Sequence, residues 1–325
     1  MSTQLSHVNF ITPIQDRILE VEDKIRAQTD GHNPELGAAL QHLLSSGGKR
    51  IRPAVALLSG GMFGADPDRL VTLGAAIELL HTATLVHDDL IDGALLRRGI
   101  ATLNAQWTPA ATVLTGDFIF ARAAKLAAET NSVPVMRLFA ITLATIVNGE
   151  LTQLFASRGI ASQDGYYQRI YAKTASMFEL ATAAAAMLST NDDHIIEDMR
   201  SFGYNIGMAF QIVDDVLDFT AEQATLGKPV ASDLRQGLIT LPALFYLEGN
   251  ADDPEMQSIL AGHFFSDERM DRLVTVIRSS GSIQRAMAVA TDYINYGLET
   301  LHKQPVSQER TSLDELARYI VDRNI

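Results

Sequence analysis

The stretch from Leu79 to Gly99, LLHTATLVHDDLIDGALLRRG, limits what this chain can fold into more than any other. An apolar run of helical length leads into Asp88, Asp89 and Asp92, and two adjacent arginines follow. Successive helical residues are about 100° apart, so Asp88 and Asp92 lie within about 40° of each other on one flank. Three neighbouring carboxylates repel one another unless a cation lies among them. The stretch therefore predicts a helix whose end holds a hard divalent cation such as Mg²⁺.

The same spacing occurs a second time, in QIVDDVLD, where Asp214, Asp215 and Asp218 again follow an apolar run. One acidic triplet on a helix is more often a solvated surface, but two copies at the ends of core-like runs indicate function. After the first cluster, Arg97 and Arg98 present forked donors that suit phosphate oxygens. Two acidic helices that face each other would hold several Mg²⁺ ions and a diphosphate between them.

Apolar residues recur at three-and-four spacing almost throughout the 325 residues, and strand-like alternation is scarce. This periodicity predicts an all-α protein. No linker is long enough to divide the chain, so we expect one domain over residues 1–325. Loops are expected at 93–109 and 220–237, one long helix over 162–189, and a helix that begins at Pro53.

Composition excludes several classes of protein. The net charge of −13, from 26 basic and 39 acidic residues, opposes nucleic-acid binding, which needs a basic surface. The absence of cysteine excludes disulfides, thiolate metal sites and cysteine nucleophiles. The start lacks the pattern of a secretory signal, and the most apolar stretch, Leu180–Leu188, is too short to span a membrane. We therefore expect a cytoplasmic protein without a transmembrane segment.

Three more basic sites stand out. GGKRIRP places Lys49, Arg50 and Arg52 just before a helix start, where backbone N–H groups favour anions; a solubilising helix cap is the alternative. Lys173 lies within an alanine-rich helix, and Lys228 lies in the LGKP loop after the second acidic cluster. A P-loop is absent, because GxxxxGK[ST] does not occur.

Six blocks of this sequence stand in the order and approximate spacing of one known family: GGKRIRP, HTATLVHDDLIDGALLRRG, NGELTQL, AKTAS, FQIVDDVLD and LGKPVASDLRQGLITLPAL. From about Ile14 to its end, the chain resembles the trans-isoprenyl diphosphate synthases, the head-to-tail polyprenyl synthases. The resemblance implies an isoprenoid-synthase-type helical bundle around a deep central cavity, and a homodimer. It also implies condensation of isopentenyl diphosphate with an allylic prenyl diphosphate, with farnesyl or geranylgeranyl diphosphate as the expected primer.

The resemblance assigns roles residue by residue. About three Mg²⁺ ions, shared with the substrate diphosphate, would be held by Asp88, Asp92 and Asp214, with Asp89, Asp215 and Asp218 in support. The allylic diphosphate would be held by Arg97, Lys173, Thr174, Gln211 and Lys228, of which Arg97, Lys173 and Lys228 are the expected catalytic cations. Isopentenyl diphosphate would be held by Lys49, Arg52, His81 and Arg98.

Physical chemistry supports that reaction at these residues. Ionisation of the allylic C–O bond separates charge, and metal ions and fixed cations stabilise the departing diphosphate. Water must be excluded because it would quench the carbocation. No protein general base is evident, so the departing diphosphate is the expected proton acceptor. A lone histidine such as His81 is usually a core residue, but it lies two turns before Asp88 on nearly the same face. His87 is expected either to be structural or to support the neighbouring aspartates without binding substrate itself.

Product length should depend on the floor of the cavity. Short-chain relatives typically carry aromatic residues four and five positions before the first aspartate, or an insertion in that motif. Here Thr84 and Ala83 occupy these positions, which predicts a hexaprenyl to solanesyl product. The alternative is that the floor of the cavity lies deeper, at Phe118, Phe120 or Phe139. A farnesyl or geranylgeranyl diphosphate synthase is the alternative within the family.

Other classes fit less well. Terpene cyclases share the helical fold but usually lack a second Asp-Asp-x-x-Asp motif. A di-iron bundle needs two Glu-x-x-His pairs; Glu78–His81 and Glu299–His302 have that spacing, but the second lies near a helix end. A non-elongating partner subunit typically loses aspartates or lysines that this chain keeps.

Overall fold

The computed structural model describes residues 9–45, 48–97, 99–155, 162–220, 230–263 and 265–323. Within these ranges the chain is helical apart from turns, loops and one two-stranded sheet, so the predicted all-α fold is confirmed. The chain comprises two compact units. Unit 1 comprises Met1–Leu143, Met177–Gly203 and Thr300–Leu316, and unit 2 comprises Ala144–Ser176, Tyr204–Glu299 and Ala317–Ile325. The expectation of a single domain stays a prediction.

The helices are numbered in chain order. The first half of the chain contains α1 (Gln15–Arg26), α2 (Pro34–Ser45), α3 (Ile51–Gly61), α4 (Pro67–Ile91), α5 (Leu103–Gln106), α6 (Pro109–Glu129) and α7 (Val133–Phe155). The second half contains α8 (Gln163–Ile170), α9 (Ser176–Met187), α10 (Asp193–Thr220), α11 (Ser232–Arg235), α12 (Leu241–Gly249), α13 (Pro254–Leu260), α14 (Asp267–Ser279), α15 (Ser282–Leu301) and α16 (Gln308–Asp322). Short 3₁₀ segments occupy Asn9–Ile14 and Ala27–Thr29.

Helix α4 is the centre of unit 1. Its start is fixed by local chemistry, because the Asp66 carboxylate accepts from the N–H groups of Asp68 and Arg69 and Pro67 occupies the first turn. Most of its residues are buried, and it packs against α1, α3 and α6. Its apolar character on every side is that of a core helix.

The connection between α4 and α6 is more ordered than predicted. Leu96–Arg97 (β1) pairs antiparallel with Ile100–Ala101 (β2), and α5 follows. The expectation of a loop over 93–109 was therefore wrong for these two strands and for α5. Strands of two residues are too short to show alternation, and the turn depends on Gly99 at φ 77°, a conformation that favours glycine.

The long helix expected over 162–189 changes its hydrogen-bonding pattern in the middle. Helix α8 passes into a π-helical segment at Tyr171–Ala175 and continues as α9. The expected extent is nearly right, but one uniform helix was wrong. Such π segments are frequent at functional sites, and this one carries two of the predicted substrate-binding residues.

Within the part of the chain that the structure describes, two helices are long and apolar enough to cross a membrane by length and composition. Helix α4 has 83% of its most apolar window buried, as expected of a core helix, whereas α7 has only 22% buried. Both helices contain charged residues, so neither forms the uncharged apolar run that a membrane span was expected to need. Helix α7 is apolar enough to cross a membrane although it contains two charged residues, Arg137 and Glu150.

Candidate active site

The first acidic cluster lies where α4 ends. Asp88 is half-buried and Asp89 is buried, whereas Asp92 is exposed just beyond the last helical residue, with its N–H bonded to the Asp88 carbonyl at 2.8 Å. The three carboxylates thus differ in environment although the sequence spaces them as one group. Asp88 and Asp92 remain the carboxylates that solvent, and therefore a soluble substrate, can reach.

Asp89 is engaged by Arg97 of β1. The Arg97 Nη2 lies 2.7 Å from Oδ1 of Asp89, and its Nε lies 2.9 and 3.1 Å from the two carboxylate oxygens. The Asp89 side chain is 6% exposed and that of Arg97 is 36% exposed, so the ion pair is largely shielded from solvent. It fixes the hairpin against the end of α4. Asp89 therefore positions a predicted diphosphate-binding arginine. Arg98, the other predicted arginine, lies outside the described residues.

His87 supports the same end of α4 from the side of α6. Its Nε2 lies 3.2 Å from the Val113 carbonyl, and its ring lies 5.2 Å from that of Phe120. A Cβ on Gly116 would come within 2.3 Å of His87 Nε2. The glycine thus permits the close approach of ring and helix, which agrees with the expected structural role of His87.

The three cations of GGKRIRP have different roles in the structure. Lys49 is exposed, and the Arg52 guanidinium lies 5.1 Å from the ring centre of buried Phe178, a cation–π distance. Arg50 is turned inward, with its Nη1 2.7 Å from Glu78 and its Nε 3.1 Å from Glu22. Burial opposes its charge, but Glu78 and Glu22 outweigh burial and raise the pKa of the Arg50 guanidinium.

The other predicted residues of α4 lie within one turn of each other. His81 is half-buried, and the Thr84 hydroxyl donates to its carbonyl at 2.7 Å. Thr84 is 8% exposed and Ala83 is 0% exposed, so Ala83 is fully packed. A product tunnel at these residues stays a prediction, as do Phe118, Phe120 and Phe139 as its deeper floor.

The second acidic cluster, in unit 2, is also divided by environment. Asp214 is the most exposed, at 40% of its side chain, and its Oδ1 lies 2.8 Å from Nη2 of Arg323. Arg323 also donates to the Phe210 carbonyl at 2.9 Å and lies 4.2 Å from the centre of the Phe210 ring. Arg323 was not predicted from the sequence, and it fixes one oxygen of a predicted metal ligand.

Asp215 is buried and held by two donors. The Tyr166 hydroxyl and the Gln211 amide each donate to one of its carboxylate oxygens at 2.8 Å. Burial, and then the charge of Asp233, raise the pKa of Asp215 to about 7, although the two hydrogen bonds oppose the rise. Tyr166 was not predicted from the sequence. The one signal that could have identified it is its position two helical turns before Lys173.

Asp218 holds the chain that follows the second cluster. The Ser232 hydroxyl donates to its Oδ1 at 2.8 Å, and the Asp233 N–H donates to its Oδ2 at 3.2 Å. Buried Asp218 therefore fixes the start of α11. Residues 221–229, and with them the predicted Lys228, lie outside the described residues.

The π segment presents Lys173 and Thr174. Lys173 is 39% exposed, with its Nζ 2.9 Å from Oε1 of Glu150 in NGELTQL. The Thr174 hydroxyl donates to the Gln211 side-chain carbonyl at 2.6 Å, and Gln211 in turn donates to Asp215. The structure thus joins Thr174, Gln211 and Asp215 in one hydrogen-bonded chain.

The carboxylates of each cluster, taken separately, are of the kind that fits Mg²⁺ shared with a substrate. Carboxylates are the hard oxygen ligands that Mg²⁺ prefers, and protein sites usually leave it several waters or phosphate oxygens. Among the described residues no three aspartate, glutamate or histidine side chains are grouped closely enough to hold an ion alone. Asp88, Asp92 and Asp214, the accessible carboxylates, are the residues that would contribute ligands.

A surface cavity of about 430 Å³ lies elsewhere in unit 1, at the turn between α9 and α10. It is lined by residues such as Met187, Asn191 and Arg200, and by none of the predicted site residues. We assign it no part in the site.

Comparison with known proteins identifies the family to which this chain is similar. The polyprenyl synthetase family model matches residues 33–277. The chain is 35% identical to heptaprenyl diphosphate synthase component 2 of Geobacillus stearothermophilus, covering 96% of this chain and 97% of that protein. It is 34% identical to the octaprenyl diphosphate synthase of Haemophilus influenzae, covering 94% and 93%. A solved polyprenyl synthase from Caulobacter crescentus, complexed with calcium and isoprenyl diphosphate, has a TM-score of 0.91 at 34% identity, covering 98% and 99%.

Proposed function

The chain belongs to the polyprenyl synthetase family and is a prenyltransferase, and on that premise we propose that it extends an allylic diphosphate with isopentenyl diphosphate in a Mg²⁺-dependent reaction. The observation that carries this proposal is the pair of acidic clusters, each with accessible carboxylates beside fixed cations. The Caulobacter relative, solved with calcium and isoprenyl diphosphate, supports both the metal and the diphosphate.

The residues of this chain would do three things. Lys173 and Arg97 would bind the diphosphate and offset the negative charge that develops as it leaves. Lys49 and Arg52 would orient isopentenyl diphosphate. Bound Mg²⁺ would supply Lewis-acid stabilisation of the leaving group. No described side chain is assigned as general base, and the departing diphosphate is the proposed proton acceptor.

The proposed product is a hexaprenyl to solanesyl diphosphate. The names of the heptaprenyl and octaprenyl relatives support this range, as do the small residues at Ala83 and Thr84. Farnesyl or geranylgeranyl diphosphate is the proposed primer. A product no longer than geranylgeranyl diphosphate is the alternative within the family.

We also propose a homodimer. Helix α7, together with α6, exposes large apolar side chains that a monomer would leave in water, a feature typical of protein interfaces. These are Val113, Leu114, Val133, Ile141, Val147, Leu151, Leu154 and Phe155. Sedimentation should give twice the chain mass, and Leu151→Glu should shift the equilibrium towards the monomer.

A cytoplasmic location stays a prediction from the sequence.

A partner subunit is the second candidate, because the Geobacillus relative is named component 2. In that case this chain would elongate only in the presence of another protein. Elongation by the purified chain alone would rule out the need for a partner subunit.

The proposed activity is tested by incorporation of labelled isopentenyl diphosphate into acid-stable prenyl product. Asp88→Asn should lower turnover by at least about 100-fold, since it removes a metal ligand that acts in the transition state. The matched control is Asp23→Asn, which changes an exposed aspartate of α1 and should leave turnover unchanged. Equal turnover of Asp88→Asn and wild type would contradict the assignment.

A further inference from the structure

Arg50 stands between two cations that are assigned to substrate, yet it is itself removed from solvent. Its side chain is 9% exposed, and its guanidinium joins Glu78 of α4, at 2.7 Å, to Glu22 of α1, at 3.1 Å. The same guanidinium also approaches the Leu44 carbonyl at 3.5 Å. Arg50 therefore contacts residues of three helices, α1, α2 and α4, and no motif of the sequence predicts this.

The backbone at Arg50 is in the left-handed region, at φ 45° and ψ 36°. Glycine adopts this conformation without strain, whereas a residue with a Cβ is disfavoured there. A glycine would therefore suit the turn before α3 better if the backbone alone mattered. The presence of a long charged side chain at such a position indicates that the guanidinium is needed.

The need for that charge follows from the two carboxylates. Glu78 is 8% exposed and Glu22 is 22% exposed, and one guanidinium binds both, so they lie close together. Two carboxylates in such a place repel each other and attract any cation within reach. Glu22 also pairs with Arg26 at 2.9 Å, so without Arg50 the uncompensated charge would lie mainly on Glu78. The cations next to Arg50 in the sequence are Lys49 and Arg52, whose side chains are long and flexible.

We propose that Arg50 is a positioning residue that occupies Glu22 and Glu78, so that these carboxylates do not compete with isopentenyl diphosphate for Lys49 and Arg52. The proposal rests on the proposed function, in which Lys49 and Arg52 bind that diphosphate. A forked guanidinium suits the position because it reaches carboxylates on two helices at once, which an ammonium does not do with the same geometry.

The test compares Arg50→Met with a triple variant that also carries Glu22→Gln and Glu78→Gln. Arg50→Met should raise the KM for isopentenyl diphosphate at least about tenfold, the effect of weakening one charged contact, with the KM for the allylic primer within twofold. The triple variant should recover most of the loss, since no carboxylate remains to compete. Arg50→Lys should fall between wild type and Arg50→Met.

Titration of each variant with isopentenyl diphosphate should give the same order of affinities as the KM values. The matched control is Arg17→Met, which removes an exposed ion pair of α1 and should leave both KM values unchanged. An Arg50→Met enzyme with an unchanged KM, or a triple variant as weak as Arg50→Met, would overturn the proposal. If Arg50→Met does not fold, Arg50→Lys is compared with wild type instead. An unchanged KM for isopentenyl diphosphate in Arg50→Lys would then overturn the proposal. Wild-type protein that neither binds nor incorporates isopentenyl diphosphate would instead refute the proposed function itself.

Discussion

Replacing Asp215 by asparagine should change how the stability of the protein depends on pH. The carboxyl group is fully buried, and burial raises its pKa from the ordinary value of 3.8 to about 7. One pKa unit corresponds to about 1.4 kcal/mol, so ionising Asp215 costs about 4 kcal/mol more in the folded protein than in the unfolded chain. Asparagine does not ionise and therefore lacks this cost.

The sign follows from proton linkage. With a raised pKa, the folded protein binds the proton of Asp215 more tightly than the unfolded chain does. The resulting stability is fully present below pH 4 and is lost as the pH rises to about 7. Across that window the free energy of unfolding of the wild type should therefore fall by about 4 kcal/mol relative to that of the asparagine variant.

The variant also loses one hydrogen-bond acceptor, because Tyr166 and Gln211 donate to separate oxygens of Asp215. That loss costs about 1–3 kcal/mol at every pH. The variant should thus be less stable than wild type at pH 4 and more stable at pH 8. The crossing of the two curves distinguishes the titration of this group from a simple loss of packing.

The assay is equilibrium urea unfolding of both proteins between pH 4 and pH 8, with EDTA present so that no metal binds. Since the chain has no cysteine, thiol oxidation does not disturb the comparison. The control is Asp252→Asn, which changes an exposed aspartate and should give a curve of the wild-type shape. Parallel curves for wild type and Asp215→Asn would refute the reasoning.

Three further predictions concern packing, product length and charge. Gly203→Ala would place a Cβ 2.6 Å from the Phe178 carbonyl oxygen, so it should lower the free energy of unfolding by about 1–3 kcal/mol in denaturant titrations; a change below about 0.5 kcal/mol would contradict that contact. Ala83→Phe should shorten the product by at least one isoprene unit, as read by chromatography of the prenyl alcohols of a variant whose circular dichroism is native; an unchanged product would show that Ala83 does not line the tunnel. Lys173→Gln should lower kcat about 100-fold or more through lost stabilisation of the leaving group, whereas Glu150→Gln, which removes only its 2.9 Å partner, should have a smaller effect; equal kcat values for the two variants would contradict this.

Elements that depend on local chemistry could be predicted from the sequence. Asp66 and Pro67 mark the start of α4 because a capping carboxylate and a proline suit the first turn. Asp192 likewise precedes α10 and accepts from the His194 N–H at 2.9 Å. Pro53 was a less accurate guide: α3 begins at Ile51, because proline is tolerated throughout the first turn.

Features that depend on tertiary contacts could not be predicted. The π segment at Tyr171–Ala175 is a change in hydrogen-bonding register, which leaves no trace in the hydrophobic period. Arg50 pairs with Glu78, Asp214 with Arg323, and Asp215 with Tyr166. In each pair the two residues are distant in sequence. The spacing of the aspartates therefore identified the acidic clusters but not their division into accessible and structural carboxylates.

The most direct test of the account is analysis of the reaction product. Purified protein would be incubated with farnesyl diphosphate, excess isopentenyl diphosphate and Mg²⁺, with an EDTA control, and the dephosphorylated products would be separated by chromatography. The account predicts a single prenyl alcohol in the hexaprenyl to solanesyl range that disappears with EDTA. A geranylgeranyl end point would contradict the proposed product length, and folded protein that elongates nothing would contradict the proposal that this chain is catalytic on its own.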